Sequence, residues 1–185
     1  MTFQLKGLIF IVASIPLVWL SLSSLRNACS HGFYRFFAWE AILAVIVLNI
    51  DYWFYKPFRT YQIFSWLLLI ASGLLVIHGI YSLHMLGKPD KKRDDPMLIG
   101  IEKTTKLVTE GSYRYIRHPI YSAGLFLVWG SFFKHISWIT FSLAVISTLF
   151  LTMTAKKEEV ESLRFFGDQY QSYMKRTKMF IPFLF

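Results

Sequence analysis

The sequence predicts an all-α integral membrane protein with about five transmembrane helices, the last two forming a helical hairpin. Three observations carry this. Of the 185 residues, 55% are hydrophobic, above the share in ordinary soluble domains. These residues fall in long unbroken runs, the pattern of bilayer-spanning segments. The 20 Lys and Arg outnumber the 11 Asp and Glu and cluster between particular runs. In such a chain that excess reads as the positive-inside bias and not as a nucleic-acid surface.

The first run, Gly7–Leu25, is long enough to span and carries Pro16, which a membrane helix tolerates. It reads as a retained helix, since only Lys6 precedes it and no small-residue cleavage site follows. A short polar loop with Arg26, His31 and Arg35 leads to the second run, Phe36–Tyr55. This run contains Glu40 and Asp51, eleven residues apart and within about 20° of one helix face. Intramembrane acids usually face the bundle. Both lie near a helix end, which favours interface anchoring over a proton relay. The third run is Ile63–Leu86; its His78 and His84 have no partner at metal-ligand spacing and read as packed or interfacial. Together residues 1–86 form an N-terminal unit of three spans.

Residues 87–118 are polar, charged and rich in Gly and Pro, a connector at a membrane face whose composition suits a segment that moves. The fourth run, Pro119–Phe133, is short for a span and joins the fifth, Ile136–Thr154, through Lys134 and His135. A charged amphipathic helix then ends in an apolar tail. Residues 119–185 thus pair a hairpin with a C-terminal helix, and 87–185 are expected to work as one unit. The single cysteine, Cys29, excludes an intramolecular disulfide and a multi-cysteine metal site, and no metal is expected.

Charge sets the orientation. Arg26, Arg35, the basic residues from Lys88 to Arg117 and those from Lys156 to Lys178 share one side. Lys6, Lys56, Arg59 and Lys134 take the other. The positive-inside rule puts the connector and the C-terminus in the cytoplasm and the N-terminus outside.

Two cytoplasmic segments concentrate the polar chemistry. In Arg117-His118-Pro119, proline suits the first position of a helix, whose free amides favour an anion. Arg117 is either a fork for a carboxylate or phosphate or an interfacial arginine reaching phospholipid headgroups. Glu158-Glu159, leaving the fifth run, either accept from a cationic amine or a ribose or are solvated surface. No glycine-rich dinucleotide motif, phosphate-binding loop or Ser-His-Asp order is present.

Leu107-Val108, Gly111, Tyr113, Arg117-His118-Pro119 and Tyr121 are followed by a hydrophobic hairpin. Glu158-Glu159, Phe166-Gly167, Tyr170, Tyr173 and Pro182 come after it. This order resembles the isoprenylcysteine carboxyl methyltransferase family and its wider relatives among membrane phospholipid methyltransferases, particularly small prokaryotic members. The match runs from about Leu107 to the C-terminus. Departures occur at Thr105, where the family often has His, at Ala155-Lys156-Lys157, where many members carry Arg, and in the longer, more charged connector.

The resemblance implies S-adenosylmethionine as cofactor at the cytoplasmic face, enclosed by Leu107–Tyr121 and the paired glutamates. It implies Glu159 for the amine of the donor, Leu107, Val108 and His118 for its carboxylate or ribose, and Tyr113 and Tyr121 for adenine or sulfonium. Gly111 and Pro119 belong to the enclosing segment. Methyl transfer is in-line displacement, so positioning dominates. A carboxylate acceptor, already ionised at neutral pH, needs a clamp, for which Arg117 is the candidate; an amine needs a base, for which Glu158 is. The expected acceptor is lipophilic, an isoprenylcysteine-like carboxylate entering from the bilayer. A phospholipid amine is the alternative, and an NADPH-dependent reductase of the sterol type is the rival from another class. Membrane lipids are the expected surroundings, in a prokaryotic cytoplasmic membrane.

Overall fold

The computed structural model describes residues 1–28, 30–87 and 104–182. Among them it is helical throughout, with one isolated bridge between Ile116 and Lys178 in place of any sheet. Among the described residues, four helices are long and apolar enough to cross a membrane: α1 (Phe3–Leu25), α2 (His31–Leu48), α3 (Thr60–Leu86) and α5 (Trp138–Phe166). The shorter α4 (Pro119–Phe132) lies between α3 and α5, and α6 (Asp168–Arg176) follows α5. At about 1.5 Å per residue, the 14 residues of α4 fall short of the hydrocarbon thickness.

The bundle is built inside out relative to a soluble protein. The buried residues of α1 are Ser21 and Ser24, and those of α3 are Gln62, Ser65, Ser72, Gly79 and Ser82. Their large apolar neighbours, such as Leu67, Ile70, Leu74 and Ile77, point outward. Lipid tails are as apolar as leucine, so small residues mark the faces where helices approach and hydroxyls bridge them. Ser65 Oγ donates to the Gly130 carbonyl (2.6 Å) and Ser72 Oγ to that of Ala123 (2.7 Å), joining α3 to α4. Ser147 Oγ of α5 donates to the Ala38 carbonyl of α2 (3.2 Å). The apolar core sits where α2, α4 and α5 meet, around Ala38, Ile42, Val45, Val128, Ala144 and Leu151.

Two helices, α2 and α5, differ from the sequence expectation. The Ser30 side chain accepts from Phe33 N and starts α2 at His31, so His31 and Arg35 belong to the helix and are fully buried. α2 also stops early, at Asn49. The amide of Asn49 donates to the carbonyls of Ser131 (2.8 Å) and His135 (3.1 Å) at the turn after α4. Glu40 and Asp51 therefore do not share a helix. Glu40 accepts from Ser14 Oγ of α1 (2.7 Å), while Asp51 sits in a 3-10 turn and pairs with Lys6 (2.8 Å). The second difference is α5, which runs unbroken for 29 residues to Phe166. Ala155, Lys156, Lys157, Glu158 and Glu159 are good helix formers, and nothing before Gly167 breaks the helix. The spanning helix and the first part of the expected charged helix are thus one rod, roughly 43 Å long, and the remainder, beyond Gly167, is α6.

Residues 88–103, half of the expected connector, lie outside the described residues. On either side of them the chain is tied together: the Gly87 carbonyl accepts from Thr105 N (3.1 Å) and Lys106 N (3.2 Å).

Candidate active site

The site is assembled where α4 begins and α5 leaves the bundle. The chain before α4 turns at Gly111, whose φ is +62°. A β-carbon there would also lie 2.4 Å from the ring of His78, so only glycine fits on both counts. The 3-10 turn Gly111–Arg114 then places Tyr113 inward, and Pro119 begins α4.

The C-terminal segment clamps this stretch. Arg117 N donates to the Lys178 carbonyl (2.8 Å), Lys178 N to that of Tyr115 (3.0 Å) and His118 N to that of Met179 (3.2 Å). Gly167, at φ +55°, turns the chain from α5 into α6. Tyr170 and Tyr173, three residues apart on α6, are buried together beneath this stretch. Tyr173 Oη donates to the Tyr113 carbonyl (2.6 Å). Burial raises both phenols above their ordinary pKa, and the charges of Glu158 and Glu159 push Tyr170 further. Both therefore stay neutral.

A buried ion pair lies behind the pocket. Arg117 Nε donates to Glu159 Oε1 (2.6 Å) and its Nη1 to the Thr177 carbonyl (2.6 Å). His118 Nε2 lies 3.3 Å from the same Glu159 oxygen. Both Arg117 and Glu159 are more than nine-tenths buried.

In front of this pair opens a pocket whose lining includes Leu83, Tyr113, Arg117, His118, Tyr121, Glu158, Glu161 and Phe166. The rings of His118 and Tyr121 stack at 5.5 Å. Of the residues expected from sequence, Tyr113, Arg117, His118, Tyr121 and Glu158 line it. Glu159 stands behind, held by Arg117. Leu107, Val108, Gly111 and Pro119 do not line the pocket; Val108 and Pro119 are buried, and Gly111 packs on His78.

Sequence reasoning missed Leu83, Thr104, Ile120, Glu161 and Ser162, and had Phe166 as a motif residue without a place in the site. For those on α5 the signal was available: positions 158, 161, 162 and 166 fall on one face of a helix. His31, 2.6 Å from Glu161 through Nδ1, carried no local signal, because 130 residues separate the two.

A second cavity, an apolar groove of about 480 Å³, runs along α3, α4 and α5. Phe64, Leu68, Leu125, Phe126, Trp129 and Phe133 line it together with Ser122 and Phe180. It begins beside the polar pocket, since Ser122 follows Tyr121 and the Phe180 ring lies 6.2 Å from that of His118.

Fold and site together define a class: a helical membrane protein with a polar pocket at the end of the bundle and a lipid-like groove beside it. The phospholipid methyltransferase family model matches residues 60–169, and the chain belongs to that family. Among curated relatives, it is 23% identical over 130 residues to a methanethiol S-methyltransferase of Crocosphaera subtropica, covering 67% of this chain and 46% of the relative. To methanethiol S-methyltransferase 1 of Bradyrhizobium diazoefficiens it is 27% identical over 120 residues, covering 64% and 39%. To protein-S-isoprenylcysteine O-methyltransferase B of Arabidopsis thaliana it is 39% identical over 88 residues, covering 45% and 43%. In each of these matches the chain spans less than half the length of the relative. No solved structure matches it.

Proposed function

We infer that the protein is an S-adenosylmethionine-dependent membrane methyltransferase acting on a lipophilic acceptor. The observation that carries this is that two unlike cavities are lined by neighbouring residues at the start of α4, Tyr121 and Ser122. One is polar, with carboxylates and aromatic rings, and the other is apolar and flanked by bundle helices.

The polar pocket, with about 80 Å³ of open space, is small for the whole of S-adenosylmethionine, but the groups that line it suit the charged and aromatic parts of the cofactor. S-adenosylmethionine is a cation with an ammonium, a carboxylate and an aromatic base. Glu158 and Glu161 supply anionic acceptors, and Tyr113, Tyr121 and His118 supply aromatic faces, which favour both a planar base and a sulfonium. When bound, the cofactor supplies an electrophilic methyl group. The protein's part is to orient the acceptor and exclude water. The groove takes the acceptor's apolar tail and presents its reactive end to the pocket. Arg117 clamps a carboxylate through donors beyond those committed to Glu159 and Thr177, and for an amine Glu158 takes the proton. α4 and α5 form a hairpin in the bilayer, with the pocket on the cytoplasmic side.

An isoprenylcysteine-like carboxylate is the first acceptor to test, beside a phospholipid amine. The relatives named methanethiol S-methyltransferase add a thiol to the panel. Purified protein in detergent is expected to bind S-adenosylmethionine in calorimetry, to ignore NADPH, and to transfer labelled methyl to one of these acceptors. Binding of NADPH in place of S-adenosylmethionine would move the protein to the reductases.

A further inference from the structure

The pocket holds a carboxylate that neither the motif nor the ion pair accounts for. Glu161 faces it from α5, one turn beyond Glu158, with its side chain 30% exposed. Its Oε2 lies 2.6 Å from Nδ1 of His31, a side chain with no exposed surface at the start of α2. The two carboxylates of the pocket thus differ. Glu158 is 3.8 Å from His118 Nδ1, too far for a hydrogen bond, whereas Glu161 is held in place by a buried ring. A donor on one side fixes the carboxylate and leaves its outward lone pairs for a ligand. The Arg117 guanidinium directs its Nε to Glu159 and not to Glu161. What the open face of Glu161 offers is a pre-oriented negative charge.

We propose that Glu161 is the group that receives a cationic end of the methyl donor, and that His31 is a positioning residue holding it there. This rests on the methyltransferase reading above. Glu161 lies toward the C-terminal end of α5, away from the groove that receives the acceptor, so the charge it meets belongs to the donor. The donor has two cationic groups, an ammonium and a sulfonium, and suitable probes separate them.

Calorimetry with three probes tests the assignment. S-adenosylmethionine carries both cationic groups, S-adenosylhomocysteine keeps only the ammonium, and methylthioadenosine has neither. In Glu161→Gln, binding of the first two is expected to weaken about tenfold, the loss of one charge-assisted contact. Binding of methylthioadenosine stays unchanged and shows that the pocket is still folded. Weakening of S-adenosylmethionine alone supports the proposal with the sulfonium as the group received. His31→Ala is expected to reproduce part of the loss. His31→Asn, whose amide can take the place of Nδ1, restores it. Equal weakening of all three probes, or of none, overturns the role of Glu161 while leaving the cofactor assignment intact. Failure of the unaltered protein to bind any of them overturns both.

Discussion

Arg117 shows how a motif residue can be legible in sequence while its role is not. The sequence gives a guanidinium at a helix start next to a candidate anion site. The structure commits its Nε and Nη1 to Glu159 and the Thr177 carbonyl, more than nine-tenths buried. Removing one member of such a pair strands a charge and typically costs about 3–5 kcal/mol, whereas replacing both with apolar groups is much milder. Arg117→Met is therefore expected to lower stability by roughly that amount in denaturant unfolding in detergent. The double variant Arg117→Met/Glu159→Met should recover a large part of the loss. If the single variant unfolds like the parent, the pair is not a structural tie. Sequence singled out Tyr113, Arg117, His118, Tyr121 and Glu158, all of which line the pocket. It could not show that Glu159 faces Arg117, because that depends on the packing of two helix ends 42 residues apart. His31 escaped for the same reason: a polar residue next to Arg26 and Arg35 reads as loop until Ser30 is seen to cap a helix.

At the scale of elements, apolar runs predicted the existence and order of the helices, and their ends were set by capping and breakers. Thr60–Leu86 and Pro119–Phe132 fall close to the expected runs. α5 does not, because its change from apolar to charged looks like a boundary although helix propensity continues through it. Gly111 governs the approach to the pocket and yields a direct test. Gly111→Ala forces a side chain into a left-handed conformation, costing about 1–2 kcal/mol, and onto the His78 ring. Adding His78→Ala should relieve the clash but not the backbone strain, so melting temperature recovers only in part; full recovery would mean the backbone is unstrained. The turn between α4 and α5 holds another sensitive point. The Lys134 side chain is buried, donating to Gln62 Oε1 (3.1 Å) with its ammonium 3.5 Å from the centre of the Trp66 ring. The tryptophan face favours the charge, but burial prevails and lowers the pKa to about 8 from 10.5. The folded state then holds its proton less tightly than the unfolded one. The penalty is fully present below pH 8 and is relieved as pH rises toward 10.5. Thermal stability in detergent is expected to rise between pH 8 and 10, and Lys134→Met should flatten that rise. A parent profile as flat as the variant's would show that the ammonium is not desolvated.

At the scale of the molecule, the two ends of the bundle differ in kind. One end is tied by Lys6–Asp51, by Asn49 on the turn after α4 and by Gln62 with Lys134, contacts that fix helix ends without enclosing the polar pocket. The other carries His31 with Glu161, the Arg117–Glu159 pair and the polar pocket. α1, α2, α3, α4 and α5 alternate between these ends, although α4 is too short to cross a membrane alone. Arg26, Arg35, Lys106, Arg114, Arg117 and the basic residues from Lys156 to Lys178 fall at or next to the second end, while Lys6, Lys56, Arg59 and Lys134 fall at the first. Short loops rich in Lys and Arg stay on the cytoplasmic side. A charged, water-soluble methyl donor would also be met there. Cysteine introduced at Glu110 or Lys175, in a Cys29→Ser background, should react with a membrane-impermeant maleimide only after the cell membrane is opened. Cysteine at Lys56 should react in intact cells. Labelling of Glu110→Cys from outside would reverse the orientation and place the pocket away from the cytoplasmic supply of donor, against the methyltransferase reading as a whole.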